Sequence, residues 1–341
     1  MKHVLTLSDG ELSEWLGHRG HAGYRAAQIQ RWLYYRRADS FDEMTDLPAA
    51  LRHDLAKDFA IWSGSIARHT VAEDGTEKLL LQFEDRGTIE CVLLRDGRRR
   101  SICVSTQVGC AMGCVFCASG LNGVDRNLSR GEIVEQMLRL QRLLPAAERL
   151  SHLVVMGMGE PLANLDQLLP ALELATDQNG LGISTRRITI STVGLPKAID
   201  RLSDEDCRFQ LAVSLHAPND SLRTELVPVN KNLGIDQILA AADRYYDVSG
   251  RRLTYEYVLL ADINDQEEHA RELVSLLRSR SALLNVIPYN PVVGLPYKTP
   301  SGTSQKRFRQ ILEDGGLNIQ FRQRKGDKIN AACGQLRRTM Q

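Results

Sequence analysis

Predicted strands and helices alternate along the chain from about residue 129 onward, and this alternation restricts the fold more than any other feature. Short apolar runs are separated by segments whose apolar residues recur at helical spacing. The predicted strands cover residues 152–156, 187–191, 209–215, 253–260, 284–289 and 318–322. The predicted helices cover residues 129–145, 165–177, 235–246, 266–279 and 304–314. Such alternation predicts an α/β fold of parallel strands covered by helices, either an open sheet or a barrel.

The chain before residue 129 has two other kinds of pattern. Residues 8–60 are predicted to be helical, with one helix at 24–35 and a second after Pro48. From about residue 62 the apolar period changes to two, which predicts a hairpin of strands 78–83 and 88–94 and a third strand at 101–105. We therefore predict a helical accessory domain at residues 1–61, a β-hairpin extension at 62–95 and a main domain at 96–341.

Composition places the chain among soluble globular proteins. It has 341 residues, of which 43% are hydrophobic and 25% charged. Its start does not resemble a signal peptide, and no apolar run approaches the roughly 18 residues that span a bilayer. The seven cysteines are mostly clustered and do not suggest a secreted disulfide framework. We expect a cytoplasmic monomer without a membrane partner.

One loop carries three cysteines, Cys110, Cys114 and Cys117, at the spacing Cys-x3-Cys-x2-Cys. A [4Fe–4S] cluster normally takes four thiolates, so three ligands would leave one iron open to a small molecule. The alternatives are a structural zinc site or unliganded core cysteines. Zinc almost always takes four ligands, and no Cys or His follows at a zinc-finger spacing. The triplet therefore predicts an iron–sulfur cluster with an open site.

Candidate ligand-binding residues follow several predicted strands, where barrels place their sites. The glycines of 157–160 let backbone approach a ligand, and the following carboxylate accepts from an ammonium group. Serine, histidine and asparagine supply further donors and acceptors. Taken singly, each is also typical of an ordinary turn, a helix cap or a half-buried side chain. The set is Gly159, Glu160, Ser191, Ser214, Leu215, His216 and Asn290.

Two further cysteines lie in suggestive positions. Cys103 precedes Cys110 by seven residues, and Cys333 lies in a glycine-flanked, arginine-rich segment near residue 341. A free cysteine is most often a small buried hydrophobe, but nearby cations lower a thiol pKa and favour a nucleophile. Cys91 and Cys207 are predicted to be core residues.

Basic residues cluster in three places despite a net charge of +1. Basic clusters with interleaved aromatic residues suit phosphate contacts and base stacking, whereas any single cluster is more often a solvated surface. Because the three clusters flank the candidate site segments, they favour a nucleic acid modestly. They comprise Arg25, Arg31, Arg36 and Arg37 with Trp32, Tyr34 and Tyr35, then Arg95, Arg98, Arg99 and Arg100, then Arg322, Arg324, Lys325, Lys328, Arg337 and Arg338.

Four segments resemble the RlmN/Cfr family of radical S-adenosylmethionine (SAM) methyltransferases, and most closely its RlmN type. They are residues 103–110 leading into the cysteine triplet, 156–162, 214–216 and 331–336, and the likeness runs from about residue 10 onward. The resemblance implies a partial (β/α)6 radical SAM barrel with an N-terminal helical RNA-binding domain. It also implies a [4Fe–4S] cluster on Cys110, Cys114 and Cys117, and SAM bound by the strand-end set above.

The family methylates C2 of an adenine in 23S rRNA and an adenine beside the anticodon of tRNA. C2 is an electron-poor carbon, so the resemblance implies two SAM molecules and a methylated Cys333 instead of direct transfer. A SAM-derived radical converts that methyl group to a methylene radical, which adds to C2. Glu90, thirteen residues before Cys103, is implied as the proton acceptor. Cys103 then attacks Cys333 and forms a disulfide, which a thiol reductant resets, while an electron donor such as flavodoxin supplies the cluster.

Two alternatives stay open at this level. The same machinery methylates C8 of the same adenine in Cfr-type relatives, and a non-catalytic iron–sulfur RNA-binding redox sensor would share the cluster motif. Retention of Cys103 and Cys333 argues against the sensor, since binding needs neither thiol. One departure from the family pattern is Asn330, where relatives commonly carry an acidic residue. It leaves the sulfur chemistry untouched.

Overall fold

The computed structural model describes residues 1–205, 208–322 and 329–337. Cys207, Arg324, Lys325, Lys328 and Arg338 lie outside the described residues, so their predicted places in the core and the basic clusters stay predictions. The strands are β1 (Lys2–His3), β2 (Phe59–Ala60), β3 (Gly64–Val71), β4 (Glu77–Phe83), β5 (Thr88–Asp96), β6 (Arg99–Cys103), β7 (Gln107–Gly109), β8 (Val124–Asn127), β9 (His152–Val155), β10 (Ile188–Thr192), β11 (Gln210–Ser214), β12 (Leu253–Leu259), β13 (Ala282–Pro288) and β14 (Ile319–Phe321). The α-helices are α1 (Asp9–His18), α2 (Arg25–Tyr34), α3 (Ala49–Asp58), α4 (Arg130–Arg142), α5 (Leu165–Thr176), α6 (Pro196–Asp204), α7 (Asp220–Leu226), α8 (Ile235–Ser249), α9 (Glu267–Leu277) and α10 (Gly302–Asp314).

The central element is a ten-stranded sheet in the order β14-β13-β12-β11-β10-β9-β6-β5-β4-β3. From β6 through β14 all neighbouring strands in this sheet are parallel. Helices α4, α5, α6, α8, α9 and α10 each link one parallel strand to the next, which gives six βα units followed by β14. Because β14 and β3 lie at opposite ends of the strand order, the sheet does not close. The predicted α/β fold with a partial (β/α)6 barrel is confirmed.

The predicted hairpin is part of the same sheet. Strands β4 and β5 pair antiparallel, and β5 pairs antiparallel with β6, with Val92 opposite Cys103. The predicted third strand is thus also the first strand of the barrel. Strand β3 was not predicted, because its residues are mostly exposed and provide no apolar alternation. It covers the free side of β4 as the edge of the sheet.

The N-terminal helices α1 to α3 form as predicted and pack against the barrel through α4. The parallel pair of β1 and β2 brings His3 beside Ile61, whose carbonyl lies 2.8 Å from the His3 Nε2 atom. Arg130 at the start of α4 donates to the Leu7 carbonyl at 2.5 Å. The first residues of the chain are therefore fixed against the barrel as well as against α3.

Two helices were missed. Helix α6 begins at Pro196, a residue that suits the first helical turn because its missing N–H needs no partner there. Helix α7 spans only Asp220–Leu226, between Pro218 and Pro228, and is too short for periodicity to indicate. Among the described residues, no helix combines the length and apolarity that crossing a bilayer requires.

Helices α1 and α4 offer a matched test of how the N-terminal region packs. Both begin with a serine capping box and carry glycine at the second helical position, Gly10 and Gly131. A Cβ on Gly131 would lie 2.5 Å from His3 Nδ1, whereas one on Gly10 would meet nothing closer than 4.0 Å. We expect Gly131→Ala to destabilise the protein by about 1–3 kcal/mol through overpacking.

Gly10→Ala is the control, and it should be neutral or stabilise by up to about 1 kcal/mol because alanine favours helix. Denaturant unfolding of both variants measures the difference. Equal effects of the two substitutions would contradict this account of how the first residues pack on α4.

Candidate active site

Two adjacent cavities lie in the barrel, the inner one at the carboxyl ends of the parallel strands and the outer one along β5, β6, β13 and β14. An outer cavity of about 480 Å³ opens between β5–β6 on one side and β13–β14 on the other. An inner cavity of about 150 Å³ lies beside the cysteine loop and the ends of β9 to β13. The residues that line both are Met156, Glu256, Ile287, Asn290 and Cys333. Cys333 therefore lies at the junction between the two cavities.

The inner cavity brings together most of the sequence-predicted cofactor residues. Leu215 is a predicted cofactor residue that does not line it; this side chain is fully buried, and its carbonyl accepts from Arg223 Nε at 3.0 Å. Cys103 lines only the outer cavity, and Glu90 lines neither. The predicted residues around the inner cavity are Cys110, Cys114, Cys117, Gly159, Glu160, Ser191, Ser214, His216, Asn290 and Cys333.

The three predicted cluster ligands follow strand β7 on one wall of the inner cavity. Burial raises the thiol pKa of Cys110 to about 12 and raises those of Cys114 and Cys117 as well. Within the described residues, no three His, Cys, Asp or Glu side chains converge closely enough to hold a single metal ion. A cubane cluster does not require such convergence, because each thiolate binds a different iron. Three cysteines spaced along one cavity wall fit that donor set.

A buried arginine behind the cysteine loop supports an anionic occupant. Arg223 of α7 is fully buried, and its guanidinium donates to the carbonyls of Val193, Ser214 and Leu215. It also donates to the Asn230 side chain, and it forms no salt bridge with a carboxylate of the described chain. Burial lowers its pKa to about 10, while Cys114 raises it. Asp220, which bonds to the same Asn230 side chain, also raises the Arg223 pKa, and thiolates and a cluster beside Cys114 would supply further negative charge.

Glu160 and Gly159 set the geometry of the turn after β9. The carboxylate of Glu160 accepts from the backbone N–H of Leu162 at 3.1 Å and of Val193 at 2.9 Å, so it joins the ends of β9 and β10. Gly159 has a φ of +101°, and a Cβ there would lie 2.6 Å from the Gln107 side chain. Glycine is therefore required where this turn crosses β7.

Asn290, which lines both cavities, has an unpaired polar atom. Its Nδ2 donates to the Cys333 carbonyl at 3.2 Å, whereas its Oδ1 is buried without a hydrogen-bond partner among the described residues. A buried acceptor of this kind is costly unless a ligand donor meets it. The exocyclic amino group of an adenine is such a donor, so the residues present fit the adenosyl part of SAM. The hydroxyls of Ser191 and Ser214, 3.5 Å apart, line the same cavity.

His216 is held as a neutral imidazole. Its Nδ1 accepts from the Val258 N–H at 3.1 Å, and Phe116 packs edge-on against the ring at 4.9 Å. Burial lowers the pKa of His216 to about 3, and Arg223 acts in the same direction. The remaining ring nitrogen is therefore a donor at neutral pH.

The outer cavity contains both cysteines that sequence analysis selected outside the triplet. Cys103 at the end of β6 and Cys333 both line it, and burial raises the Cys103 thiol pKa to about 12. All six described cysteines are free thiols, so the predicted disulfide between Cys103 and Cys333 is absent from this structure. The two thiols are nevertheless close enough for Cys333 to raise the pKa of Cys103 further.

Glu90 is buried beneath the segment that carries Cys333. Its carboxylate is 2.8 Å from Lys78 Nζ and accepts from the Arg337 backbone N–H at 2.8 Å. Burial raises its pKa, against the opposing effect of Lys78. Glu90 shares one face of β5 with Val92 and Leu94, which line the outer cavity. The predicted base is therefore next to the cavity wall.

Glu256 and Arg322 are charged residues of the cavity walls that were not predicted as site residues. Glu256 of β12 is buried and accepts from Asn285 Nδ2 at 2.9 Å. Arg322, predicted only as part of a basic cluster, lies beside Cys333. Cys333, Glu256 and Cys103 all raise the pKa of the Arg322 guanidinium. A charged residue inside the apolar run of β12 was the available signal for Glu256, because such a residue is rarely buried without a function or a partner.

The predicted basic clusters are only partly available to a nucleic acid. Tyr34 is buried, and Arg37 donates to backbone carbonyls that include that of Leu144. Arg95 pairs with Glu77, and Arg100 pairs with Glu148. The exposed basic residues include Arg31, Arg36, Arg98 and Arg99, of which Arg99 also lines the outer cavity.

The depressed pKa of His216 makes the stability of the protein depend on pH. Below pH 6.5 the histidine of the unfolded chain binds a proton that folded His216 does not bind. The free energy of unfolding therefore decreases as the pH falls. His216→Asn removes this effect and keeps the positive φ of +61°, which asparagine tolerates. We expect the loss of unfolding free energy between pH 7.5 and pH 5.5 to be about 1 kcal/mol smaller in the variant. Urea unfolding at both pH values measures it, and an unchanged difference would show that His216 titrates normally.

Comparison with known proteins gives a consistent result along the chain. A model of the radical SAM superfamily matches residues 104–274, and a model of the ribosomal RNA large subunit methyltransferase N-terminal domain matches residues 3–61. The chain is 65% identical to a probable dual-specificity RNA methyltransferase RlmN of Rhodopirellula baltica, over 98% of this chain and 91% of the relative. It is 44% identical to the protein of that name from Symbiobacterium thermophilum, over 97% of this chain and 90% of that one.

A solved structure extends the likeness to three dimensions. The crystal structure of a radical SAM methyltransferase from Sphaerobacter thermophilus superimposes with a TM-score of 0.96 at 42% sequence identity. The match covers 99% of this chain and 100% of that one.

Proposed function

This chain belongs to the RlmN family of radical SAM methyltransferases, and we propose that it methylates C2 of adenosine in 23S rRNA and in tRNA. The relatives are named as probable dual-specificity RNA methyltransferases, which supports RNA as the substrate. The position of Cys333 carries the proposal. It is shared by a cavity lined by the cluster cysteines and a larger cavity lined by Cys103. A group attached to its sulfur can therefore face either cofactor or RNA.

The inner cavity is the proposed cofactor site. Cys110, Cys114 and Cys117 would hold a [4Fe–4S] cluster, and Asn290 Oδ1 would accept from the adenine of SAM. When bound, the cluster and SAM supply a methyl group and a carbon radical. The three cysteines are half-buried, and the buried side chains of Phe116 and Arg223 beside them would limit the access of water, which protects reactive groups from side reactions.

The outer cavity is the proposed adenine site. Its volume of about 480 Å³ is within the range of pockets that enclose a small molecule. Cys333 would present the methyl-derived carbon radical to C2, where a C–C bond forms, and Glu90 would accept the C2 proton. The unpaired electron left on adenine would pass to a one-electron acceptor, for which the cluster, when bound, would serve. The Cys103 thiolate then attacks the Cys333 sulfur, which forms an S–S bond and breaks the S–C bond to the carbon now attached to adenine. That carbon takes a proton, and a thiol reductant restores both cysteines.

Burial of Cys103 matches this order of events. A thiol with a pKa of about 12 is almost entirely protonated at neutral pH, so it is a poor nucleophile in the resting enzyme. It would react only after Cys333 has been modified and has RNA attached. A premature disulfide would remove the methyl acceptor.

The remaining assignments follow from the same function. We propose residues 1–61 as an RNA-binding domain, 62–95 as the hairpin extension and 96–341 as the catalytic barrel with its cysteine segment. An electron donor such as flavodoxin would reduce the cluster, and a monomer in the cytoplasm would meet ribosomal and transfer RNA there. Reduced cytosolic thiols also suit the cysteine chemistry.

Incubation of anaerobically reconstituted protein with SAM, a reductant and either 23S rRNA or tRNA tests the proposal. Mass spectrometry of the nucleosides should show 2-methyladenosine with wild type and none with Cys333→Ala. Cys103→Ala should also give none, and instead should retain RNA covalently attached to the protein. Cys91→Ala, a buried cysteine that lines neither cavity, is the matched control and should stay active.

The possible products separate the alternatives. 8-Methyladenosine would keep the cysteine chemistry and assign the protein to the Cfr type. Unmodified RNA from a wild-type protein that cleaves SAM would refute the proposed substrate. RNA binding without SAM cleavage, unaffected by Cys333→Ala, would indicate the non-catalytic redox sensor.

A further inference from the structure

The segment that carries Cys333 is attached on both sides of this cysteine to one buried ion pair. Lys78 of β4 and Glu90 of β5 are diagonal neighbours in the sheet, and Lys78 Nζ lies 2.8 Å from Glu90 Oε1. Lys78 Nζ also donates to the Asn330 carbonyl at 3.0 Å. Glu90 Oε2 accepts from the Arg337 N–H at 2.8 Å. Asn330 and Arg337 lie three residues before and four residues after Cys333.

We propose that the Lys78–Glu90 pair is a latch that positions Cys333 at the junction of the two cavities, and that loss of the Glu90 charge releases it. Lys78 is then a positioning residue, which acts on Cys333 through Glu90 and the Asn330 carbonyl. The release step rests on the proposed function, in which Glu90 accepts the C2 proton.

The strength of the latch depends on charge. Both side chains are buried, at 8% and 6% exposure, so water screens their attraction poorly. Hydrogen bonds that involve an ionised group are roughly twice as strong as neutral ones. The charged groups that act on Glu90 are Lys78 and Arg337, and both favour its ionised form. Protonation of Glu90 would therefore weaken its ion pair with Lys78 and its hydrogen bond from the Arg337 N–H.

The Arg322 guanidinium bonds to the Cys333 side chain itself, whereas the bonds made by the backbone carbonyls of the segment do not change charge in the reaction. The Cys333 carbonyl accepts from Asn290, and the Gly334 carbonyl accepts from the Ala118 N–H at 2.8 Å. The Leu336 carbonyl accepts from the Ser119 hydroxyl at 2.9 Å. These bonds are between neutral groups of the cysteine loop, the β13 end and the segment. Among the described contacts of the segment, the latch is the one that contains Glu90, and it therefore responds to the transfer of the C2 proton.

The order of the proposed reaction steps requires Cys333 to be held first and released later. Before proton transfer, Cys333 must stay at the junction so that its methyl-derived carbon reaches adenine. After transfer, the Cys333 sulfur must move from the adenine toward Cys103, which lines the same outer cavity. Neutral Glu90 would loosen the segment at that point and at no earlier step.

Hydrogen exchange of the full-length, cluster-loaded protein without RNA tests the latch directly. We expect the amides of residues 329–337 to exchange about tenfold faster in Lys78→Met than in wild type, as the loss of a charged hydrogen bond implies. Lys78→Arg keeps the positive charge and should restore most of the protection. Glu90→Gln imitates the protonated carboxyl and should behave like Lys78→Met.

The adjacent ion pair on β4 provides a matched control. Glu77 precedes Lys78 in the chain and pairs with Arg95, and neither contacts the cysteine segment in the described contacts. Glu77→Gln should leave the exchange of residues 329–337 unchanged, even where it lowers overall stability.

A chemical readout separates positioning from a merely structural role. After a fixed time with SAM, intact mass spectrometry gives the fraction of Cys333 that carries a methyl group. We expect that fraction to fall several-fold in Lys78→Met, to recover in Lys78→Arg and to be unchanged in Glu77→Gln.

Wild-type exchange and wild-type Cys333 methylation in Lys78→Met would overturn the latch. Should Lys78→Met fail to fold, Glu90→Gln decides alone, and undiminished protection of residues 329–337 in that variant would overturn it equally. Failure of the proposed function is distinguishable, because it appears as unmethylated RNA from wild type and leaves the exchange results unaffected.

Discussion

The pairing of β6 with two different neighbours determines the rest of the site. On one edge β6 pairs parallel with β9, and on the other it pairs antiparallel with β5. The first strand of the barrel therefore also belongs to the hairpin. Because of this, Cys103 on β6 and Glu90 on β5 lie beside the same opening, and the segment with Cys333 covers that opening from the other side. Without the β5–β6 pairing, the barrel would keep the inner cavity, but Cys103 and Glu90, the two proposed reaction partners of Cys333, would not lie side by side.

Buried polar groups keep the walls of the inner cavity in place. Arg223 joins the ends of β10 and β11 through backbone carbonyls, and Glu160 joins the ends of β9 and β10 through backbone N–H groups. These two side chains bind backbone groups at the ends of strands, where loops begin. Without such bonds, these loops would be the most mobile parts of the barrel. The cavity is thus preorganised by side chains that are not themselves required to touch a substrate.

The sequence predicted the architecture well where apolar residues recur periodically over long segments. Alternation gave the parallel strands and most helices, and the cysteine spacing located the inner cavity. Helix α7 and strand β3 were missed because a seven-residue helix and an exposed edge strand have no distinctive apolar period. At the site, the resemblance supplied Glu90, but the ion pair with Lys78 could not be predicted, since it depends on the register of β4 against β5. Glu256 and Arg322 were missed for a similar reason, because only the folded sheet places them beside Cys333.

The position of Cys333 in the chain has a consequence for how the enzyme matures. Every strand of the barrel precedes this residue, so the cluster loop and the inner cavity can form before the cysteine segment docks. A barrel in that condition would have its cofactor cavity but no sulfur at the junction, and Cys103 would have no partner. Under the proposed function, the fold would separate the acquisition of cofactors from the docking of the methyl acceptor. The most reactive combination of groups in the molecule is assembled only when the last described segment is in place.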